Sequence, residues 1–263
     1  MHSTLWENRQ LLIDTHAHLY YSDLKSQLDD VISRAGEAGV DQIICVGTDL
    51  DSSKESIAIA EKYPNVFATA GVHPHDAKDA PTHFAEELRK LAGHEKVVAI
   101  GEMGLDFFRN LSPPDVQSVV FRQQLELANE LDLPAVIHNR EADEALLTAL
   151  REITPKRGVV HCFSSNVETA KAVLKLGLKI SFTGTVTFGK NHNESVLKAI
   201  DLGDFMLETD CPFLAPVPNR GKLNEPGNIS HIAQRIAEIK GVLIKEVAEK
   251  TTRTAQQFFR LPA

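Results

Sequence analysis

Short apolar runs alternate with amphipathic stretches along almost the whole chain, and this alternation limits the folds that the sequence can adopt. The runs that read as buried strands are 11–14, 42–46, 66–70, 97–101, 134–138, 158–162, 178–182 and 204–208. Apolar residues recur at helical spacing in Leu24–Ala38, Pro114–Leu131, Asn166–Leu176, 228–240 and 244–259. Strand–helix alternation implies parallel strands joined by right-handed crossovers.

Eight such units in a chain of 263 residues favour closure into a barrel. A (β/α)8 TIM barrel typically needs about 250 residues. We therefore expect an α/β protein with a single barrel domain over residues 1–263, in which one extra carboxyl-terminal helix packs on the wall and the other closes the bottom.

The formal net charge is −8, which argues against non-specific binding of nucleic acid by the protein surface, because such binding needs a positive field. It does not exclude a phosphate substrate, since bound divalent cations reverse the sign of the charge locally.

The cysteines and the absence of long apolar runs predict the cellular compartment of the protein. Cys45, Cys162 and Cys211 form no CxxC pair, so neither a disulfide framework nor a thiolate zinc site is indicated. No run approaches the roughly 18 apolar residues of a membrane span, and the polar start Met1–Gln10 has no secretory core. We expect a cytoplasmic protein with no membrane partner and, by default, a monomer.

Imidazoles and carboxylates follow five of the predicted strands. They occur in Asp14-Thr15-His16-Ala17-His18, Gly101-Glu102, His138, His161 and Glu208-Thr209-Asp210. A parallel barrel carries its chemistry at the carboxyl ends of its strands. The sequence therefore predicts one metal site at this rim, with the ligands His16, His18, Glu102, His138, His161 and Asp210.

Each ligand taken alone has an ordinary alternative. His16 and His18 are two residues apart and share one face of a strand, so one ion could take both imidazoles; the alternative is an incidental surface pair. Glu102 could bridge two cations about 3.5–4 Å apart, or form an ion pair with an arginine, Arg109 or Arg140. His138 and His161 could each be a hydrogen-bonded core histidine.

Asp210 follows the last strand, two residues after Glu208, so both side chains should face the mouth of the barrel. Asp210 could bind a metal and also take a proton from the attacking water. Asp14 is expected to orient a histidine, and Glu208 to support the ligands or bind weakly.

A nucleophilic mechanism is poorly supported. The chain has neither a GxSxG sequence nor a GxxxxGK[ST] loop. Cys162 and Cys211 directly follow His161 and Asp210, so on a strand their side chains should point away from those residues.

The sequence resembles the TatD family of metal-dependent hydrolases, many of which are described as deoxyribonucleases, within the amidohydrolase-like barrels. The matching stretches are DTHAHL (14–19), AGVHPHD (70–76), AIGEMGLDF (99–107), PAVIHNR (134–140), VVHCFS (159–164), ISFTGTVTF (180–188), LETDCPFLAPVP (207–218) and RGKLNEP (220–226).

The resemblance implies two divalent ions, one held by His16, His18 and Asp210 and the other by His138 and His161, with Glu102 between them. It also implies that His73, in the GVHP sequence, lies near the substrate phosphate.

The function that this resemblance implies is hydrolysis of a phosphodiester in a nucleic acid, most simply DNA that is single-stranded or has free ends, by an exonuclease-type activity. Asp210, Glu102 and His73 are the predicted catalytic residues, and the metals could be zinc, manganese, magnesium or nickel. Arg140 and Arg220 are candidates to grip phosphate through paired hydrogen bonds, with Lys222 and Asn224 assisting.

Two alternatives remain open. One is a small-molecule amide, ester or lactone hydrolase with the same metals. The other is a non-catalytic binding module, against which the complete ligand set argues, because buried unpaired carboxylates are costly.

Overall fold

The computed structural model of the protein describes residues 11–189 and 193–262. The predicted domain 1–263 and the predicted polar start Met1–Gln10 include residues that lie outside this part of the chain. The strands are β1 Leu12–Ala17, β2 Val40–Val46, β3 Val66–Ala70, β4 Val97–Asp106, β5 Ala135–Arg140, β6 Gly158–Val160, β7 Lys179–Phe182 and β8 Phe205–Leu207. The α-helices are α1 Ser22–Lys25, α2 Leu28–Glu37, α3 Leu50–Lys62, α4 Phe84–Ala92, α5 Pro114–Leu131, α6 Asp143–Glu152, α7 Val167–Lys175, α8 Asn193–Ala199, α9 Ile229–Lys240 and α10 Ile244–Phe259.

The eight strands form one parallel sheet in the order of the chain, with helices between them. The seam between β8 and β1 is closed by the segment that follows β8. The backbone N–H of Asp210 donates to the carbonyl of His16 at 2.8 Å, and that of His18 donates to the carbonyl of Cys211 at 2.7 Å. The predicted (β/α)8 barrel is confirmed, and its seam lies beside the predicted ligands.

The barrel interior is filled by apolar side chains below the mouth. This inner cluster includes Ile13, Ile44, Val136, Val159 and Met206 from different strands, together with Ala255, Phe258 and Phe259 of α10. Helix α10 therefore closes the bottom of the barrel, as the sequence predicts, and the opposite rim is free for chemistry.

Several element boundaries differ from the prediction. Strand β4 continues five residues beyond the apolar run, to Asp106, and β6 ends at Val160. The predicted helix Leu24–Ala38 is two helices, α1 and α2. Among the described residues, no helix is both long and apolar enough to cross a membrane.

Candidate metal centre

Glu102 lies at the centre of a group of histidines at the carboxyl end of the barrel. Its Oε1 atom is 2.7 Å from His161 Nε2 and 3.0 Å from His138 Nδ1. Its Oε2 atom is 3.3 Å from His16 Nε2 and 3.8 Å from His18 Nε2. The two carboxylate oxygens thus face two different pairs of imidazoles, which is the arrangement that a bridging carboxylate requires.

Asp210 completes the half of the group that contains the first histidine pair. Its Oδ1 atom is 3.4 Å from His18 Nε2 and 3.8 Å from His16 Nε2. Two sets of three side chains could each hold a metal ion, because the donor atoms within a set all lie within 4.8 Å of one another. One set is His16, His18 and Asp210, and the other is His16, Glu102 and His161. The structure therefore brings all six predicted ligands together.

Two glycines allow β4 to deliver Glu102. Gly101 and Gly104 have φ values of +139° and +141°, which L side chains rarely adopt. A Cβ atom on Gly104 would lie 2.0 Å from the carbonyl oxygen of His138, and one on Gly101 would lie 2.5 Å from that of Val136. The peptide bond between Gly101 and Glu102 is cis. Close approach of the β4 and β5 backbones thus places Glu102 beside His138.

The hydrogen bonds of two histidines direct their free lone pairs into the group. His18 Nδ1 is 2.9 Å from the carbonyl oxygen of Val46, which can only accept, so Nδ1 carries the proton. His138 Nε2 is 3.2 Å from the Asp106 carboxylate and donates to it in the same way. When these rings are neutral, their unprotonated nitrogens are therefore Nε2 of His18 and Nδ1 of His138; when His138 is protonated, its Nδ1 donates to the Glu102 carboxylate instead, at 3.0 Å. Both nitrogens face Glu102, and the neutral ring is the state that a metal ligand needs.

His73 has the opposite tautomer. Its Nδ1 atom accepts the backbone N–H of His75 at 3.1 Å, so the proton of the neutral ring is on Nε2, which lies 3.3 Å from Glu102 Oε1. Burial lowers the pKa of His73 to about 4, so the ring is neutral near pH 7. His73 also lies within 4.8 Å of Glu102 and His138, but its N–H suits an oxygen acceptor rather than a cation.

The charges within the group oppose the effect of burial. Burial alone would raise the pKa of Glu102, but the neighbouring His161, His73 and His16 and the hydrogen bond with His138 hold it well below its ordinary value. Burial would likewise lower the pKa of His161, yet Glu102 and Glu208 raise it well above the usual range. Glu102 is thus an anion that is stabilised by imidazoles on every side.

Two further carboxylates support this group. Asp106 accepts hydrogen bonds from the rings of His138 and His75, the latter at 2.9 Å. Glu208 accepts from the Cys162 backbone N–H at 2.6 Å and from the Ser181 hydroxyl at 2.7 Å. Glu208 therefore fixes the backbone beside His161, in agreement with a supporting role.

Asp14 has a different task from the one the sequence suggests. Its carboxylate accepts hydrogen bonds from the backbone N–H of Thr209 at 2.8 Å, from the Thr209 hydroxyl at 2.6 Å and from the backbone N–H of His16 at 3.3 Å. Burial raises the pKa of Asp14 to about 7. The expected contact with a histidine ring is replaced by contacts that join β1 to the end of β8.

Helix α5 holds two loops of the rim through buried amides. Gln124 exchanges hydrogen bonds with the backbone of Val72, at 2.8 and 2.9 Å, and Gln117 with that of Asp106, at 2.8 and 3.1 Å. The loop that carries His73 and the end of β4 are therefore both fastened to the same helix.

The group opens into a cavity of about 730 Å³, which is large enough for a nucleotide. Glu102, Asp210, His73 and Arg140 are among the lining residues. The guanidinium carbon of Arg140 lies 4.0 Å from the ring centre of Phe108. Arg140 also lines a second cavity, beside the amino-terminal end of α6, so it stands between the two.

Other candidates lie in different surroundings. The Arg220 guanidinium stacks on Phe188 at 4.4 Å, and Arg220 is not among the described residues that line the cavity. The Asn224 amide bonds the carbonyls of Thr209 and Phe213, so it stabilises the long last loop instead of assisting with substrate.

Cys162 lines the cavity beside His161, because β6 ends at Val160 and strand alternation no longer applies. The strand alternation from which its side-chain direction was predicted does not apply here, and its Sγ atom lies 3.6 Å from the Thr183 hydroxyl oxygen. Burial raises the pKa of the Cys162 thiol well above its usual range, so the thiol is a poor nucleophile.

Several site residues were not identified from the sequence. Asp106 is four residues after Glu102 on the same strand face, and that spacing was an available signal. His75 is two residues after His73. Tyr21 lines the cavity from the loop after β1, and no local pattern identifies it.

The alternative explanation for Glu102 is not supported. Its ion pairs within the described part of the chain are with histidines, and neither Arg109 nor Arg140 lies within salt-bridge distance of it.

Comparison with known proteins identifies the family. The family model described as TatD related DNase matches residues 13–260. The uncharacterized metal-dependent hydrolase YabD of Bacillus subtilis is 42% identical over 95% of this chain and 100% of its own length. The 3′-5′ ssDNA/RNA exonuclease TatD of Erwinia tasmaniensis is 36% identical over 95% of this chain and all of its own length. The chain therefore belongs to the TatD-related DNase family of metal-dependent hydrolases.

Solved structures agree with this assignment. The TatD homologue YJJV of Escherichia coli superposes with a TM-score of 0.91 at 29% identity, over 95% of this chain and 98% of that one. A TatD family hydrolase of Entamoeba histolytica gives 0.85 at 27% identity, over 94% of this chain and 97% of that one.

Proposed function

We propose that the protein hydrolyses phosphodiester bonds of nucleic acid with two divalent cations, zinc, manganese, magnesium or nickel, held around Glu102. The observation that carries this proposal is the division of two imidazole pairs between the two oxygens of one buried carboxylate. The Erwinia relative named above as an ssDNA/RNA exonuclease supports the same substrate class.

The donor set fits such cations. In the neutral rings of His18 and His138, the lone pairs would face Glu102, since Val46 and Asp106 each accept the one remaining ring proton. His16, His18 and Asp210 would hold one ion and His138 and His161 the other, with Glu102 between them. Nitrogen-rich ligation suits zinc, manganese or nickel better than magnesium. The ions would supply Lewis-acid polarisation of a phosphoryl oxygen and a lower pKa for a bound water.

The protein residues would then position and move protons. Asp210 lines the cavity and its side chain is the more exposed of the two predicted carboxylate ligands, 14% against 4% for Glu102. It would take the proton of the attacking water. His73 would donate a hydrogen bond from its Nε2–H to a phosphate oxygen and keep its proton, because its Nδ1 is already an acceptor. Arg140 would bind a neighbouring phosphate with its planar guanidinium.

The first experiment measures bound metal and substrate range. We expect about two divalent ions per chain and hydrolysis of labelled single-stranded DNA and of p-nitrophenyl phosphodiesters. Hydrolysis of carboxyl esters, amides or lactones alone would favour the small-molecule alternative, and no turnover with any of the four metals would favour a binding module.

Variants separate the roles. Glu102→Ala and Asp210→Asn should abolish activity in a folded protein, whereas Glu130→Gln on the surface should leave activity and bound metal unchanged. Metal-replete Glu102→Ala that cleaves DNA at the wild-type rate would refute the bridging role. His73→Ala should lose most activity and keep its metal; loss of metal would make His73 a ligand.

The finer points of the proposal have separate tests. Exonuclease action predicts single nucleotides as the first products from an end-labelled strand. A monomer predicts a sedimentation mass near 29.0 kDa, and a cytoplasmic location is tested by cell fractionation.

A further inference from the structure

Large apolar side chains that are exposed to solvent concentrate around the mouth of the barrel. Among the described residues, six of the nine exposed large hydrophobics lie in the loops after β1, β4 and β8. They are Tyr21, Phe108, Leu111, Phe213, Val217 and Leu223. Scattered apolar residues on a surface need no explanation, but a cluster beside a polar site indicates a binding role.

Tyr21 and Phe213 form a corner directly beside the predicted ligand His18. Their ring centres are 5.3 Å apart with an interplanar angle of 81°, and they lie 5.9 and 6.3 Å from the ring of His18. The two residues are 40% and 47% exposed, and both line the cavity that contains Glu102 and Asp210. The corner therefore offers flat aromatic faces to a ligand that reaches the metal centre.

The opposite wall of the same cavity carries positive charge. In a ring of eight strands, β4 and β5 lie across from β8 and β1. Arg109 follows β4 and Arg140 ends β5, and both line the cavity. A ligand that uses both walls has an aromatic plane at one end and anionic groups at the other.

A nucleotide within a strand has both features. Its base could stack in the corner while the phosphate on one side lies at the metal centre and the next phosphate lies towards the arginines. Stacking on an aromatic side chain tolerates any sequence, because every base has a π face. An ester, amide or lactone without an aromatic or anionic group would use neither wall.

We propose that Tyr21 and Phe213 are a base-stacking corner that selects an unpaired nucleotide next to the scissile phosphate. This inference rests on the proposed function and deepens it. In a duplex a base is held by its pairing partner and is covered by a neighbour on at least one face, so it cannot enter the corner without unpairing and unstacking. The site should therefore cleave single-stranded or frayed ends and reject blunt duplex.

The test compares three replacements of Phe213 on a short single-stranded oligonucleotide. Phe213→Ala removes the ring, Phe213→Leu keeps apolar bulk without a π face, and Phe213→Trp keeps a larger π face. We expect kcat/KM to fall by roughly 5- to 100-fold in the Ala and Leu variants, mainly through KM, and to stay near the wild-type value in the Trp variant. Leu243→Ala, an exposed apolar residue between α9 and α10, is the matched control and should behave as wild type.

A second readout follows the base directly. Oligonucleotides with 2-aminopurine at one end or the other are mixed with the metal-loaded protein in a stopped-flow fluorimeter. The wild type should quench the fluorescence of one of them before cleavage, and Phe213→Ala should not. Tyr21→Ala should reduce the quench as well.

The outcomes separate the two proposals. Wild-type protein that cleaves oligonucleotides, with unchanged KM and quench in Phe213→Ala, would overturn the stacking corner alone. Equal values for Phe213→Leu and wild type would also overturn it, because apolar bulk would then suffice. Failure of the wild type to cleave any phosphodiester would overturn the proposed function and this inference with it.

Discussion

Replacement of Gly104 by alanine tests whether the close approach of β4 and β5 sets the geometry of the metal centre. The added Cβ would lie 2.0 Å from the carbonyl oxygen of His138, and real Cβ contacts do not fall below about 3.0 Å. The two backbones must therefore separate by at least about 1 Å, which moves the His138 ring relative to Glu102. A misplacement of this size can cost about 100-fold in rate, and the positive φ adds roughly 1–3 kcal/mol of strain.

We expect Gly104→Ala to lower the free energy of unfolding by about 3 kcal/mol or more, to reduce bound metal and to lower kcat/KM on single-stranded DNA by about 100-fold. Urea unfolding, elemental analysis and steady-state kinetics measure the three quantities. Gly177→Ala is the matched control, because Gly177 has a φ of +80° but nothing within 4 Å of its Cβ position. It should cost about 1 kcal/mol and leave metal and activity unchanged. Full metal content and wild-type kcat/KM in Gly104→Ala would refute the reasoning.

Three further predictions concern other parts of the molecule. A free divalent ion at 100 times the Kd of one metal site should stabilise the protein by about 2.7 kcal/mol, which raises Tm by roughly 5–10 °C for a chain of this size. A chelator should reverse this rise in Tm, and Glu102→Gln should show little of it. Asp106→Asn removes the carboxylate that fixes the His138 tautomer and should weaken metal binding about 10- to 100-fold by calorimetric titration, so unchanged affinity would contradict the assigned role. Phe259→Ala removes a ring that is 3% exposed at the bottom of the barrel and should cost about 3–5 kcal/mol of stability; a lower kcat in the folded enzyme would show that the two ends of the barrel are coupled.

The barrel, and the meeting of the six predicted ligands at one rim, could be predicted from the sequence for a physical reason. Buried parallel strands are continuous apolar runs, and their carboxyl ends share one rim, so polar residues that follow these runs converge whatever their separation in the chain. His16 and Asp210 are 194 residues apart, yet 3.8 Å separates their side chains.

Other features depend on register and loop geometry, which leave no local pattern. The contact between Asp106 and His138 follows from the pairing of Gly104 with His138 across β4 and β5. The end of β4 was missed because its last five residues include two acidic residues and a glycine. Tyr21 and Phe213 meet only because the seam of the barrel brings their loops together.

The two buried glutamines of α5 connect the outer layer of helices to the rim of the barrel that carries the predicted ligands. Gln124 supports the residue before His73, and Gln117 supports Asp106. Both rim segments are hydrogen-bonded to one helix, so a disturbance of α5 would loosen the loop that carries His73 and the carboxylate that contacts His138 in the same event. In native-state hydrogen exchange, the backbone N–H groups of Val72 and Asp106 should therefore exchange through one common opening event, which begins at α5 and not at the metal site.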